Sequence, residues 1–256
     1  MARQAANGER GSGTAREILA ELRAAATAEK RAVLSRFFKT GPGEYGEGDR
    51  FLGVMVPQIR AIAAAHLAES GPAAERALLR SPWHEARECG LFLMSGRFRR
   101  ADGRGRGALH RAYLAALAAG RVNNWDLVDG SAPLLVGGWL LERPRGLLDD
   151  LARRPGLWEN RVAVVSTLAF VRRGELDDAF RLCGALLGHP HDLMHKAVGW
   201  VLRECGKRDA GRLRAFLARH AGAMPRTALR YAIERFPGAE RRRWLRCGRG
   251  GTGNWD

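Results

Sequence analysis

Apolar residues recur along most of the chain at the spacing of an amphipathic α-helix. In the segment AREILAELRAAATAEKRAVLSRFF, which begins at Ala15, they fall at i, i+3, i+4 and i+7, with strong helix formers between them. Val, Ile and Thr never alternate with polar residues for long enough to predict a strand. The pattern therefore predicts an all-α fold.

Proline, serine and glycine residues suggest where the helices begin and end. The segment PQIRAIAAAHLAES opens with Pro57, which suits the first turn of a helix, and we predict that this helix runs to Gly71. In SPWHEARECGLFLMSGRF, Ser81 is the predicted N-cap and Pro82 the first helical residue. Glycines interrupt the helical pattern over residues 41–56, which predicts a loop there.

Three later segments share one pattern, in which a loop is followed by a basic residue and an apolar helix. They are PGLWENRVAVVSTLAFVRRG, HPHDLMHKAVGWVLRECGKRD and AGAMPRTALRYAIERFPG. Aligning Ala163, Ala197 and Ala228 gives spacings of 34 and 31 residues. Repeats of roughly 30–47 residues built from paired helices predict an α-solenoid of the HEAT-like or armadillo type. Because the repeat is irregular, a plain helical bundle is the alternative.

The repeats also suggest a basic surface. If the second helix of each pair lines the concave face of a solenoid, then Arg161, Lys196 and Arg226 would project from the starts of those inner helices. Arg230 is a further candidate on the last of them. A groove lined with Arg and Lys suits a duplex backbone, and helix N-termini would add N–H donors for phosphates.

The charge balance supports a polyanionic partner. The 256 residues include 43 basic and 27 acidic side chains, which gives a net charge of +16. Nucleic acid is the first expectation and an anionic membrane surface the second. A general bias towards arginine is the alternative, since lysine occurs only four times.

Hydrophobic residues make up 46% of the chain, which is enough for a sizeable core. The chain lacks an uncharged apolar run of about 18 residues, and its N-terminus lacks the apolar region of a secretory signal. We therefore expect no membrane association and a cytoplasmic location, with the protein at the nucleoid when it is bound to DNA. We predict a disordered leader over residues 1–13, a single domain over 14–246 and a flexible tail over 247–256.

The residues that could hold a metal or a cofactor give no convincing site. The four cysteines form no C-x-x-C pair, so we expect reduced thiols, three of them as small core residues. In HPHDLMH, three histidines have the appearance of metal ligands, but two flank a proline and no acidic cluster joins them. The segment GPGEYGEG lacks the Lys-Ser/Thr of a phosphate-binding loop. We predict no metal and no cofactor.

Two aromatic residues lie one helical turn from a charged residue. In RVNNWDLVDG, Trp125 precedes Asp129 by four positions, and Trp200 follows Lys196 by four, so each pair shares a helix face. An indole beside a carboxylate can stabilise a cation. Each residue also has an ordinary interpretation: both tryptophans could be core residues, Asp129 could cap a helix, and Arg161 could be a surface residue.

Five ordered segments resemble the AlkD-type family of DNA alkylation repair glycosylases. The resemblance runs from about Ala15 to about Arg246. It is carried by FFKTGPGEYGEGDRFLGVMVPQIRAIA, VNNWDLVD, WENRVAVVSTLAF, HKAVGWVLRE and MPRTALRYAIERF. The resemblance implies a C-shaped stack of HEAT-like helical repeats, in agreement with the repeat pattern.

The resemblance also implies roles for individual residues. It places Trp125, Asp129 and Trp200 in the active site and assigns Arg161 a DNA contact at the lesion. The chain departs from the family pattern at Asn160, where a first arginine is expected before Arg161. One phosphate contact is therefore in doubt, while the second basic position is kept.

The implied activity is hydrolysis of the N-glycosidic bond of N3- or N7-alkylated purines in duplex DNA, such as 3-methyladenine and 7-methylguanine. This is the first step of base excision repair, and we expect a monomer to perform it. An ionised Asp129 would oppose positive charge on the sugar, and the two indoles would favour it. The alternatives are a non-catalytic HEAT-repeat DNA-binding or damage-sensing protein and, less compatible with the charge, a protein scaffold. A carboxylate among phosphates lowers DNA affinity, so Asp129 favours catalysis.

Overall fold

The computed structural model describes the backbone of residues 2–247 and the side chains of residues 13–247. Helices account for every named element in that range. In chain order they are α1 (Ala2–Ala25), α2 (Ala28–Phe37), α3 (Val56–Ala65), α4 (Pro72–Leu79), α5 (His84–Arg100), α6 (Gly103–Ala118), α7 (Trp125–Asp129), a π-helical turn (Pro133–Gly137), α8 (Gly138–Leu140), α9 (Gly146–Ala152), α10 (Leu157–Ser166), α11 (Leu168–Val171), α12 (Asp177–Ala185), α13 (Asp192–Arg208), α14 (Ala210–His220), α15 (Arg226–Ala232) and α16 (Gly238–Arg246). The predicted all-α fold is confirmed.

The chain forms two compact units, one ending at Ser131 and the other beginning at Ala132. The boundary between the units lies inside the single domain predicted for residues 14–246, and that domain remains a prediction. The predicted flexible tail lies outside the described residues, except for Cys247. None of the helices in the described part of the chain combines the length and apolar character needed to cross a membrane.

The start of the first unit differs from the sequence prediction in two ways. The long amphipathic segment forms two helices, because the side chain of Thr27 accepts a hydrogen bond from the Lys30 N–H (3.2 Å) and caps the start of α2. Helix α1 begins at Ala2, so its backbone is helical through most of the predicted disordered leader. The side chains of residues 1–12 lie outside the described residues.

Two other predicted helix limits need correction. Helix α3 has Pro57 in its first turn, as predicted, but it ends at Ala65 rather than near Gly71. Ser81 is not the N-cap of α5, because Trp83 occupies that position and the helix begins at His84. The Ser81 hydroxyl instead accepts a hydrogen bond from the Trp83 N–H (3.2 Å).

A buried carboxylate fastens the end of the glycine-rich loop of residues 41–55 to α5. The side chain of Glu85 is 1% exposed and accepts hydrogen bonds from the backbone N–H groups of Leu52, Gly53 and Val54 at 2.8, 2.8 and 3.1 Å. Gly53 has a φ of 102°, and a Cβ there would lie 2.3 Å from the Thr27 carbonyl oxygen. Only glycine therefore fits at this point of the loop.

The second unit contains the predicted repeat. Helix α10 packs against α13, and α13 packs against α15. The aligned residues Ala163, Ala197 and Ala228, one on each helix, are all buried. Helices α13 and α15 approach closely at Gly199 of α13, where a Cβ would lie 2.5 Å from both the Ala228 carbonyl oxygen and the Tyr231 Cβ. Small residues thus let successive repeat helices approach closely.

The cysteines are distributed as predicted. Cys89, Cys183 and Cys205 are free thiols buried among apolar side chains, and Cys247 is a free thiol that is partly exposed. The expectation that three of the cysteines are core residues is confirmed, and their reduced state stays a prediction.

Candidate functional site

Helix α7 carries the indole and the carboxylate singled out in the sequence. Asn124 is its N-cap, and the Asn124 Oδ1 accepts a hydrogen bond from the Trp125 N–H (2.9 Å). The helix has five residues, so Trp125 is its first residue and Asp129 its last, one turn later. Both side chains are partly exposed. The structure thus brings this predicted pair together at the surface of the first unit.

Aromatic rings from α2 and the residue after it surround Trp125. The indole stacks on Phe38 at a centroid distance of 5.3 Å, and it meets Phe37 edge to face at 6.0 Å. Phe38 is buried, whereas Phe37 is 60% exposed. One face of the indole is therefore fixed by the core, and the exposed Phe37 extends the aromatic surface towards solvent.

Behind Trp125 lies a buried hydrogen-bond network centred on His84. The His84 Nδ1 lies 2.8 Å from the Asp49 Oδ2, and its Nε2 lies 2.7 Å from the Asp126 Oδ2. Arg87 donates from Nη2 to the other oxygen of Asp49 at 2.6 Å. The His84 ring also stacks on Phe51 at 4.5 Å. The imidazole is thus held between two carboxylates and against an aromatic ring.

The network fixes the charges of its members. Burial alone would lower the pKa of His84, but the neighbouring Asp126 and Asp49 outweigh it and raise the pKa to about 10. Burial alone would raise the pKa of Asp49, but the hydrogen bond and charge of His84, together with the charge of Arg87, lower it to about 2. Carboxylates only accept hydrogen bonds, so both ring nitrogens of His84 carry protons at neutral pH.

Glu88 lies beside this network on the next turn of α5. Its carboxylate, the His84 ring and the Asp126 carboxylate each have an atom within 4.8 Å of the others. Histidine and carboxylate side chains are residue types that bind metal ions. The His84 Nε2 and the Asp126 Oδ2 are 2.7 Å apart, closer than the roughly 3 Å that separates two atoms ligating one ion. In this structure the pair is therefore a hydrogen bond, and the expectation that the protein binds no metal stays a prediction.

We expect Glu88 to make stability depend on pH. Burial, and the like charge of Asp126, raise its pKa from 4.5 to about 7. Because the folded-state pKa is the higher one, the associated stability is fully present below pH 4.5 and is lost as the pH rises through 7. The Glu88→Gln variant should therefore gain about 1 to 3 kcal/mol in unfolding free energy over wild type between pH 4.5 and pH 8.

Urea unfolding of both proteins across this pH range measures the difference. Glu29→Gln is the matched control, because Glu29 is exposed and should show no such change. A constant difference between Glu88→Gln and wild type at all pH values would mean that Glu88 is ionised as easily in the folded protein as in the unfolded chain.

In the second unit, the predicted DNA-contacting residues differ in exposure. Arg161 is only 4% exposed, and its guanidinium donates to the Leu193 carbonyl oxygen, which ties α10 to the start of α13. Lys196 is partly exposed and forms an ion pair of 2.8 Å with Asp192 on the preceding turn. The burial of Arg161 makes a direct phosphate contact less favourable there than at Lys196.

The two arginines of α15 also differ. Arg226 donates from Nη2 to the Leu245 carbonyl oxygen (2.6 Å), whereas Arg230 is exposed. Of these two residues, Arg230 is the one whose side chain extends into solvent. Both lie on the helix that packs against α13, which carries Lys196.

Trp200 lies on α13, one turn after Lys196 as predicted, and is partly exposed. It lines an open pocket of about 470 Å³ together with Arg172, Lys207 and Arg208. Glu204 also lines the pocket and forms an ion pair with Lys207 (2.7 Å). The sequence analysis did not single out Arg172, Lys207 and Arg208. An indole among cationic side chains is a suitable surface for a nucleic-acid backbone.

Asn160, which departs from the family pattern, has a structural role. It is buried, and its Nδ2 donates to the carbonyl oxygens of Leu151, Ala152 and Arg154 at 3.0, 3.2 and 2.8 Å. These carbonyl groups lie at or just after the end of α9, where helical partners are lacking. The amide thus closes the end of α9, and the side chain is not available to a phosphate.

The sequence analysis also missed the His84 network. Asp49, His84 and Asp126 are separated by 35 and 42 residues, so no local spacing connects them. The available signal was a histidine followed by Glu85 and, one turn later, Glu88 near the start of a predicted helix, which by itself does not identify a partner.

The comparisons with known proteins bear on the family and the fold. A family model for the DNA alkylation repair enzymes matches residues 18–236. A solved structure described as a "Predicted DNA alkylation repair enzyme from Enterococcus faecalis" has a TM-score of 0.65, with 17% identity over 83% of this chain and 97% of that one. At that identity the similarity shows the fold alone, and a search of the curated proteins found no match. Because the family model covers most of its length, the chain belongs to the family of DNA alkylation repair enzymes.

Proposed function

We propose that this protein is a DNA glycosylase that hydrolyses the N-glycosidic bond of N3- and N7-alkylated purines in duplex DNA. The observation that carries the proposal is the surface pair on α7, where a partly exposed indole and carboxylate lie one turn apart. In a member of the DNA alkylation repair family, such a pair suits a substrate whose reacting sugar becomes positively charged.

The chemistry explains why the site needs a carboxylate and no strong acid. A purine alkylated at N3 or N7 already carries positive charge, so it can leave without being protonated. As its bond to the sugar breaks, the deoxyribose becomes oxocarbenium-like. An ionised Asp129 opposes that charge and orients the attacking water, and the π-face of Trp125 favours the cationic sugar.

The other residues of the proposal belong to the second unit. Trp200 is the second indole of the proposal, and its phosphate contacts are Lys196, which is partly exposed, and Arg230, which is exposed. Arg161 and Arg226 donate to backbone carbonyl oxygens, so we assign them a supporting role, in which they hold α10 and α15 in place for these contacts. The net charge of +16 favours binding to duplex DNA, and we propose that a cytoplasmic monomer performs the reaction.

The experiment is base release from a duplex that contains one 7-methylguanine, with binding to the same duplex measured in parallel. We expect release of the free base and an affinity that falls steeply with salt concentration. Tight binding without release from either 7-methylguanine or 3-methyladenine duplexes would instead indicate a non-catalytic DNA-binding protein. Affinity that is independent of salt would contradict binding to the backbone.

A further inference from the structure

The three residues that flank Trp125 are all held by one buried network. Arg87 donates to the Asn123 Oδ1 at 3.2 Å, and Asn124 donates from Nδ2 to the Asp49 Oδ2 at 3.3 Å. Asp126, the residue that follows Trp125, is hydrogen-bonded to His84 at 2.7 Å. Trp125 therefore lies between anchored neighbours, although its own ring is partly exposed.

The charges of the four hydrogen-bonded side chains, Asp49, His84, Arg87 and Asp126, balance only when His84 is a cation. Asp49 and Asp126 contribute two negative charges, and Arg87 contributes one positive charge. The side chains of His84 and Asp49 are 2% and 1% exposed, so water cannot compensate a missing charge. A neutral imidazole would also leave a ring nitrogen lone pair facing a carboxylate oxygen, which would push one of the two carboxylates away.

A second path joins His84 to the indole through aromatic contacts. The His84 ring lies 5.1 Å from the ring of Phe38, and Phe38 stacks on Trp125 at 5.3 Å. His84 is thus linked to Trp125 in two ways. Its hydrogen bond to Asp126 acts on the backbone of Trp125, and its contact with Phe38 acts on the indole. Displacement of His84 would disturb both contacts at once.

We propose that the His84 imidazolium is a positioning residue, which ties Asp49 to Asp126 and thereby fixes the start of α7 and the orientation of Trp125. The expected effect of His84 on catalysis rests on the proposed function, whereas its expected effect on the orientation of the indole does not. A displacement of about 1 Å in a catalytic group can reduce a rate about 100-fold. Loss of the His84 charge should therefore slow the chemical step while leaving DNA binding intact.

The test uses His84→Gln, which removes the charge and keeps a polar side chain of similar reach. Single-turnover base release at saturating enzyme should slow about 10- to 100-fold, with a DNA Kd within about 3-fold of wild type. With 5-fluorotryptophan labelling, the ¹⁹F resonance of Trp125, assigned through Trp125→Phe, should shift or broaden. His66→Gln is the matched control, since His66 forms an exposed pair with Glu21 at the same distance of 2.7 Å.

Asp126→Asn provides a second variant if His84→Gln does not fold. Its side chain is 13% exposed, and the change leaves the bond between His84 and Asp49 in place. We expect the same shift in the Trp125 resonance and the same loss of rate, and no further loss in the double variant, because both residues act through one link. An unchanged Trp125 resonance in both variants would overturn the inference. If wild type released no base, the proposed function would fail, and the ¹⁹F measurement would still decide the inference.

Discussion

The Asp129→Asn variant should release 7-methylguanine about 100- to 1000-fold more slowly than wild type under single-turnover conditions. Asparagine keeps the size and position of the side chain at the end of α7 but removes the charge that opposes the cationic sugar. Binding should be unchanged or slightly tighter, because the lost charge is one that repels phosphates. The combination of a slower reaction and intact binding distinguishes electrostatic catalysis from a contribution to affinity.

Asp150→Asn is the matched control for this prediction. Its side chain is 62% exposed on α9, and it removes the same charge from a site outside the proposed chemistry. We expect its rate to stay within about 2-fold of wild type, as is typical of a surface substitution. An Asp129→Asn variant as fast as this control would remove the carboxylate from the mechanism, whether or not the protein is a glycosylase.

The Glu85→Ala variant should lose about 3 to 5 kcal/mol of unfolding free energy. The change leaves three backbone N–H groups, those of Leu52, Gly53 and Val54, without their acceptor in the core. It also frees the end of the loop that carries Asp49. Urea unfolding followed by far-UV circular dichroism measures the loss.

Glu47→Ala is the appropriate comparison, because it removes a similar contact without the burial. Glu47 belongs to the same loop and accepts a hydrogen bond from the Gly43 N–H at 2.8 Å, but it is exposed. Water replaces that contact, so the loss should stay below about 1 kcal/mol. Equal losses in the two variants would show that the Glu85 contacts stabilise the protein no more than an exposed loop contact.

The features that the sequence predicted are those that a local pattern encodes. Helical periodicity gave the all-α fold, and the aligned small residues Ala163, Ala197 and Ala228 identified positions that are buried at helix contacts. The spacing of Trp125 and Asp129 placed both on one short surface helix. Each of these inferences rests on a spacing of a few residues or on a repeat of 34 and 31 residues that is read directly from the sequence.

The features that the sequence did not predict depend on partners far away in the chain. Ser81 had the appearance of an N-cap, but the His84 N–H donates to the Arg50 carbonyl oxygen (2.8 Å), which delays the helix by two residues. Asn160 was interpreted only as a missing arginine, because its three carbonyl partners cannot be identified without the fold. Burial of Arg161 was equally hidden, since arginine is ordinarily a surface residue.

The buried thiols have a consequence for a protein that works where alkylating agents are present. The thiolate is the form of cysteine that attacks an electrophile. Burial raises the pKa of Cys89 and Cys205 to about 12 and that of Cys183 well above its ordinary value, so all three remain protonated as well as inaccessible. The reagents that methylate purines would thus find little to react with in the interior, and Cys247, near the end of the described chain, would be modified first. The interior thiols of this repair protein are thus protected from the class of reagent whose DNA products the protein is proposed to remove.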